Sequence, residues 1–191
     1  MATAIDLARR AQNAWHPPAD LLAAAQAATW RGDPQPVVSE QQPIGPGVVA
    51  LGRYVRARWP ELVYQTYARG RDMASGASPS MHHAGRAIDL MIHEVDGGPD
   101  RRGDAIADWL LANAREIGVQ YFIWSGTQWS SATGRTSVYP GAESHDNHIH
   151  VDLTEAGAAG TTPWFRGGSM SAVALAIGAA AGVWWWVSRR R

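Results

Sequence analysis

Five of the chain's seven histidines fall in two short segments, Ser80-Met81-His82-His83-Ala84-Gly85-Arg86-Ala87-Ile88-Asp89 and His145-Asp146-Asn147-His148-Ile149-His150. Imidazole nitrogens and a carboxylate are donors that a zinc ion accepts. An ion held by three protein donors keeps a fourth position open for chemistry. The chain contains no cysteine, so thiolate ligands and disulfides are excluded and any metal falls to His, Asp and Glu. A lone histidine is more often a hydrogen-bonded structural or surface residue than a ligand. Five of them in two strand-entry segments, with an aspartate on an otherwise apolar stretch, point to a metal site.

Such a site needs strands to hold it. Ala87 to Ile92 alternates, so Ile88, Leu90 and Ile92 share one face while Ala87, Asp89 and Met91 share the other. His148 and His150 stand two apart in a strand expected over His148 to Leu153, which aims both the same way and turns Ile149 and Val151 to the core. The Gly, Ser and Pro of Gly70 to Ser80 make a loop that delivers His82, and Gly85 frees the backbone for loop and strand to converge. Leu62 to Tyr67 and Val119 to Trp124 suit further strands, with Ser125-Gly126-Thr127 as the turn into another near Gln128-Trp129. Ser130 to Gly141 reads as a loop. Asp104 to Ile117 reads as a helix capped by Asp104 and ended by Gly118. Val48 to Trp59 reads as another, with Val49, Leu51, Tyr54, Val55 and Trp59 on its buried side and Pro60 ending it. Helices flanking a small antiparallel or mixed sheet give an α+β class.

At 191 residues the chain suits one globular domain plus appendages. Its formal net charge is zero, so no basic excess is left to neutralise phosphates, and nucleic acid is not an expected partner. Ala2 to Trp15 and Pro18 to about Trp30 read as short packing helices separated by His16-Pro17-Pro18, with His16 at the surface. Pro34, Pro36, Pro43 and Pro46 mark residues 31–46 as a linker or extended arm. Met1 to Arg10 carries Asp6, Arg9 and Arg10 and no apolar core, so no secretory signal peptide is expected.

The other end differs. Met170 to Val187 is uncharged and precedes Ser188-Arg189-Arg190-Arg191. As a helix it would measure about 27 Å, against a hydrocarbon thickness of about 30 Å. Trp184-Trp185-Trp186 beside three arginines matches an aromatic belt with basic anchors, so a single transmembrane helix in a lipid bilayer is expected over 170–187. Gly178 and Gly182 form a GxxxG that permits helix–helix self-association.

Ser80-x-His82-x-x-Gly85-Arg86-Ala87-x-Asp89 followed by His148-x-His150 resembles the signature of zinc peptidases that cut bacterial cell-wall peptides. This group unites D-alanyl-D-alanine carboxypeptidases, the penicillin-insensitive murein endopeptidase and the hedgehog signalling domain. His145-x-x-His148-x-His150 resembles the murein endopeptidase version. The run Gly118 to Trp124 through Gln128-Trp129, then His-Asp-Asn-His-Ile-His-Val, is closer still to a domain of actinobacterial cell-wall proteins. The resemblance covers roughly Pro46 to Leu153. It implies a hedgehog/DD-peptidase zincin-like fold and one Zn2+ per chain, held by His82, Asp89 and His150. The family sets its first ligand seven residues before the aspartate, which selects His82 and leaves His83 outside.

The same resemblance implies a water at the fourth position. His148 stands beside it as general base or oxyanion stabiliser, and His145 and Asp146 as substrate-contacting or outer partners. An arginine upstream of the first ligand, Arg69 or Arg71, would hold a substrate carboxylate or carbonyl. No glutamate stands just before the last histidine pair, as it does in some relatives. The expected organisation is a helical segment over 1–30, a Pro-rich linker over 31–46, a zinc peptidase-like domain over 47–165, the span over 170–187 and a basic tail over 188–191. The expected function is a membrane-tethered zinc metallopeptidase acting on peptidoglycan stem peptides or cross-links. The positive-inside rule turns its domain toward the wall. A phage or virion protein, delivered to the wall from outside, reconciles that topology with the lack of a signal peptide. The alternative is a zinc-stabilised, non-catalytic binding or structural module of a membrane or virus particle.

Overall fold

The computed structural model describes residues 3–34, 36, 40–68 and 81–167. Three helices, α1 (Ala4–Asn13), α2 (Ala19–Ala27) and α3 (Pro46–Arg58), precede strands β1 (Val63–Tyr67) and β2 (Ala87–Ile92). Helix α4 (Asp104–Ile117) leads to β3 (Val119–Trp124), β4 (Thr127–Ser130), β5 (Thr136–Val138) and β6 (His148–Leu153). A one-turn helix, α5 (Glu155–Ala158), follows. The strands form one six-stranded sheet in the order β1-β2-β6-β3-β4-β5, and every neighbouring pair is antiparallel. The class is α+β.

Alternation in the central strands builds the core. Ile88, Leu90 and Ile92 from β2 and Ile149 and Val151 from β6 are buried, together with Leu51 and Val55 of α3 and Ile106, Leu110 and Ile117 of α4. Because the side-chain period of a strand is two, the residues between these are turned to the opposite face. There the register sets Tyr67, Asp89, His150 and Ile123 in one row across β1, β2, β6 and β3. The next row sets Ala87, Asp152, Tyr121 and Ser130 side by side. One face of the sheet is core and the other carries polar chemistry.

Several local expectations are corrected. In α3 the buried stripe runs through Val48, Leu51, Gly52 and Val55 at i, i+3, i+4 and i+7, which leaves Val49 off that face and exposed. Asp104 does not cap α4. The chain enters through a 3-10 turn at Arg101–Gly103, so Asp104 already lies in the first turn and its carboxylate accepts from Arg101 Nη2 (2.6 Å) and Trp124 Nε1 (2.8 Å). Gly118 ends α4 with φ +85°, the left-handed conformation that glycine takes without a Cβ penalty. The span read as a loop over Ser130 to Gly141 contains β5, a short polar edge strand on β4 with Gln128 Nε2 donating to Ser137 Oγ at 2.9 Å.

The N-terminal segment packs onto the domain. Trp15 is fully buried against Phe122, its ring nitrogen donates to Asp108 Oδ1 at 3.0 Å, and its carbonyl accepts from Thr127 Oγ1 at 2.9 Å. Farther on, Trp30 stacks at an angle on Trp129 with 5.8 Å between ring centroids, and its amide donates to Ser131 O at 3.1 Å. Asp33 then accepts from Arg86 Nη2 (3.0 Å) and from the Glu155 amide (2.6 Å). The stretch read as a linker is thus docked over these residues. No helix among the described residues is long and apolar enough to cross a membrane. The expected span over 170–187, with Gly178 and Gly182, lies outside the described residues.

Candidate metal centre and its cleft

Each side chain of the centre is positioned by a specific local device. His82 sits in a turn closed by Gly85 N donating to His82 O (3.0 Å) and Arg86 N donating to Met81 O (2.9 Å). Gly85 makes that turn with φ +67°, and a Cβ there would run into the Pro43 carbonyl, so a side chain is excluded twice over. Arg86, buried, bonds Leu153 O through Nε (3.1 Å) and ties the turn to the end of β6. Asp89 and His150 are direct cross-strand partners, which brings their side chains together on the polar face.

Three donor atoms converge as a result. His82 Nε2 lies 3.2 Å from Asp89 Oδ1 and 3.2 Å from His150 Nδ1, and His150 Nδ1 lies 2.9 Å from Asp89 Oδ1. Donors bound tetrahedrally at about 2.0–2.2 Å stand roughly 3.3–3.6 Å apart, so these three surround a common point within a few tenths of an ångström. His82, Asp89 and His150 could hold a metal ion. His83 is not part of this group, although its carbonyl accepts from Gln42 N at 2.6 Å and anchors the same turn.

The charges agree with that reading. Burial would raise the Asp89 pKa, but hydrogen bonds from His150 and His82 outweigh it and hold the carboxyl well below the usual carboxylate range. Burial would lower His150, but Asp152 and Asp89 on its two nitrogens outweigh it and raise it to about 10. His150 Nε2 lies 2.9 Å from Asp152 Oδ1, which keeps a proton on Nε2, so that a bound metal would displace the proton on Nδ1. A carboxylate behind a ligating histidine fixes its tautomer and raises its basicity. Asp152→Asn should therefore weaken metal binding about 10–100-fold in a chelator competition. Unchanged affinity would show that Asp152 does not act through His150.

His145 and His148 form a second pair, with ring centroids 4.6 Å apart. His145 Nδ1 faces the Glu143 carbonyl at 3.1 Å, and His148 Nδ1 faces Asn147 Oδ1 at 2.7 Å. Both partners are acceptors, so each Nδ1 carries the proton and each Nε2 keeps its lone pair. His145 has φ +58° in a tight turn, held by Ser125 N donating to its carbonyl at 3.0 Å. Burial, then the neighbouring His148 and His150 charges, pulls the His145 pKa down to about 3. Burial likewise lowers His148. At neutral pH the pair is uncharged.

A testable pH dependence follows. The unfolded His145 takes up its proton near pH 6.5 and the folded one near pH 3, so the stability from neutral His145 is complete above pH 6.5 and is lost as pH falls. Between pH 6.5 and 5, above the main carboxylate range, the metal-free protein should lose about 1–2 kcal/mol through this group. His145→Asn, which tolerates the left-handed backbone, should lose less by about that amount. Urea midpoints at the two pH values for both proteins isolate His145 from the other histidines. Equal losses would contradict the assignment.

A cleft of about 600 Å3 opens on His82 and His150, and Asp152, Tyr121 and Tyr139 contribute to its walls. Arg31, Gly32 and Asp33, from the segment read as a linker, line it as well. Tyr139 also meets His145 edge-on at 4.9 Å, joining the cleft wall to the neutral histidine pair. Asp146 turns elsewhere, accepting from Ser144 Oγ at 2.6 Å. Arg69, expected to hold a substrate carboxylate, lies outside the described residues, as do Arg71 and Ser80. Asp152 and Asn147 were not singled out from sequence. The signal for Asp152 was present, since His148, His150 and Asp152 recur at a period of two on one strand face.

A family model described as VldE, C-terminal domain, matches residues 40–150, more than half of the chain and all of these histidines. No curated protein and no solved structure matches the chain.

Proposed function

The chain belongs to the VldE C-terminal domain family, and from the chemistry of its metal centre we propose that it is a zinc-dependent hydrolase of peptide bonds in bacterial peptidoglycan. The observation that carries this reading is that the donors of His82, Asp89 and His150 converge beside an open cleft lined by His82 and His150. A structural zinc site is closed by four protein ligands, whereas a catalytic one keeps three and leaves a position accessible. His82 and His150 retain 13% and 18% side-chain exposure, enough for a substrate group to reach them. The resemblance of Ser80 to Asp89 and His145 to His150 to the cell-wall zinc peptidases supplies the substrate class and the zincin-like fold.

In this reading His82, Asp89 and His150 would hold the ion, which would supply Lewis acidity and an activated water near neutral pH. His148 holds its Nε2 lone pair ready to accept a proton, because Asn147 fixes the other nitrogen as donor. His145, neutral and buried behind it, keeps a second positive charge from accumulating beside the first. Asp152 orients His150. The uncharged run 170–187 and its arginines would tether the enzyme to a bilayer with the domain facing the wall, in a cell or a virus particle.

The test is to incubate the full-length, zinc-loaded protein with purified sacculi and to identify released fragments by mass spectrometry. New peptide termini, absent with His82→Ala, are the expected result. Sacculi bound but left intact by the zinc-loaded protein would replace the hydrolase with a non-catalytic wall-binding module.

A further inference from the structure

The docked segment before α3 does more than cover the domain: it brings to the cleft a positive charge, Arg31, that has no ion-pair partner among the described residues. The chain contains no lysine, and among the described residues lining the cleft Arg31 is the only arginine. The acidic groups there are already engaged. Asp33 accepts from Arg86 and from the Glu155 amide, and Asp152 faces His150. Among the described residues no carboxylate lies within ion-pair range of Arg31.

Its backbone is also fixed from both sides. The Trp30 amide is bonded to Ser131 O, and the Asp33 amide to Gln120 Oε1 at 2.8 Å. Between them Gly32 lies so close to Gln120 that an added Cβ would stand 2.7 Å from its Oε1. A long, exposed side chain on a fixed backbone, with no ion-pair partner among the described residues, offers its guanidinium to whatever enters.

The register locates that charge relative to the metal centre. Asp152 and Tyr121 are two residues along their strands from His150 and Ile123, a step of about 7 Å. Gln120 and Ser131, which anchor the arm, lie at the same end of β3 and β4. Resting on the hydrolase reading, we propose that Arg31 is a specificity-determining residue that binds a carboxylate of the substrate, within about two peptide residues of the bond presented to His82, Asp89 and His150. The shared chemistry is a carboxylate. It comes either from the free C-terminus of a peptide or from an acidic side chain within it.

The experiment uses the full-length metal-loaded protein and four probes: acetyl-L-alanyl-D-glutamyl-D-alanine, its C-terminal carboxamide, its glutaminyl analogue and the doubly neutral peptide. Affinities are read by calorimetry, without turnover. Because a bound metal attracts anions too, the decisive quantity is the change in acid-over-neutral preference between wild type and Arg31→Ala. A preference of roughly ten-fold in the wild type should fall to near unity in Arg31→Ala and partly return in Arg31→Lys. Loss confined to the C-terminal acid or to the glutamyl side chain identifies which carboxylate is held. A preference unchanged in Arg31→Ala, or no preference in the wild type, overturns the proposal. Selective binding without cleavage of any probe counts against the hydrolase reading and leaves the Arg31 assignment standing, so the two fail separately.

Discussion

Replacing His82 with alanine should strip the centre of its metal and abolish hydrolysis. A zinc site stabilised by about 10–16 kcal/mol distributes that energy over three or four ligands, so loss of one should weaken binding on the order of a thousand-fold. The remaining donors, Asp89 Oδ1 and His150 Nδ1, lie 2.9 Å apart and would collapse into an ion pair. Equilibrium dialysis should find about one metal per wild-type chain and essentially none in His82→Ala at micromolar free zinc. The neighbouring His83→Ala, outside the donor group, should keep its metal. Metal retained in His82→Ala and lost in His83→Ala would reverse the ligand assignment.

The second large effect separates binding from chemistry. His148 is two residues from His150 on the same strand, yet its nitrogens are not among the convergent donors. Its Nδ1 is committed to Asn147, and burial holds it neutral with Nε2 free. His148→Ala should therefore keep a full complement of metal while kcat falls about 10²–10⁴-fold, the usual worth of a positioned general base, with KM little changed. A parallel loss of metal would make His148 a ligand. An unchanged kcat would remove it from the reaction.

The parts of this site that were legible in the sequence are those governed by local periodicity. Asp89 between Ile88 and Leu90, and His150 between Ile149 and Val151, can only face away from the core once their strands form. Helix α4 was readable for the same reason: its apolar stripe is continuous, and Gly118 supplies the left-handed residue that ends it. The turn at Gly85 was foreseeable from residue type alone.

What escaped was decided by long-range contact. Nothing near Arg31 or Asp33 announces that the arm will meet Arg86, Gln120 and Ser131, because these partners are 53 or more residues away and the intervening prolines suggest only an extended chain. Strand β5 lacks apolar alternation because it is a polar edge that packs little of itself inward. Asp104 looked like a cap by type and position, and lost that role to the 3-10 turn ahead of it and to the Trp124 ring nitrogen. The choice of His82 over His83 came from family spacing, and the geometry places only His82 within reach of Asp89 and His150.

Peptide-bond hydrolysis by this protein should require a zinc ion at His82, Asp89 and His150. A set of two histidines and one carboxylate also suits ferrous iron, so the metal must be varied as well as removed. The most direct measurement strips the full-length protein with chelator and titrates zinc, ferrous iron or manganese back while following peptide release from sacculi. Activity that vanishes on chelation and returns linearly to saturation at about one equivalent of zinc is the expected result. Peptide release that persists in the metal-free protein, or that returns only with iron, would contradict it.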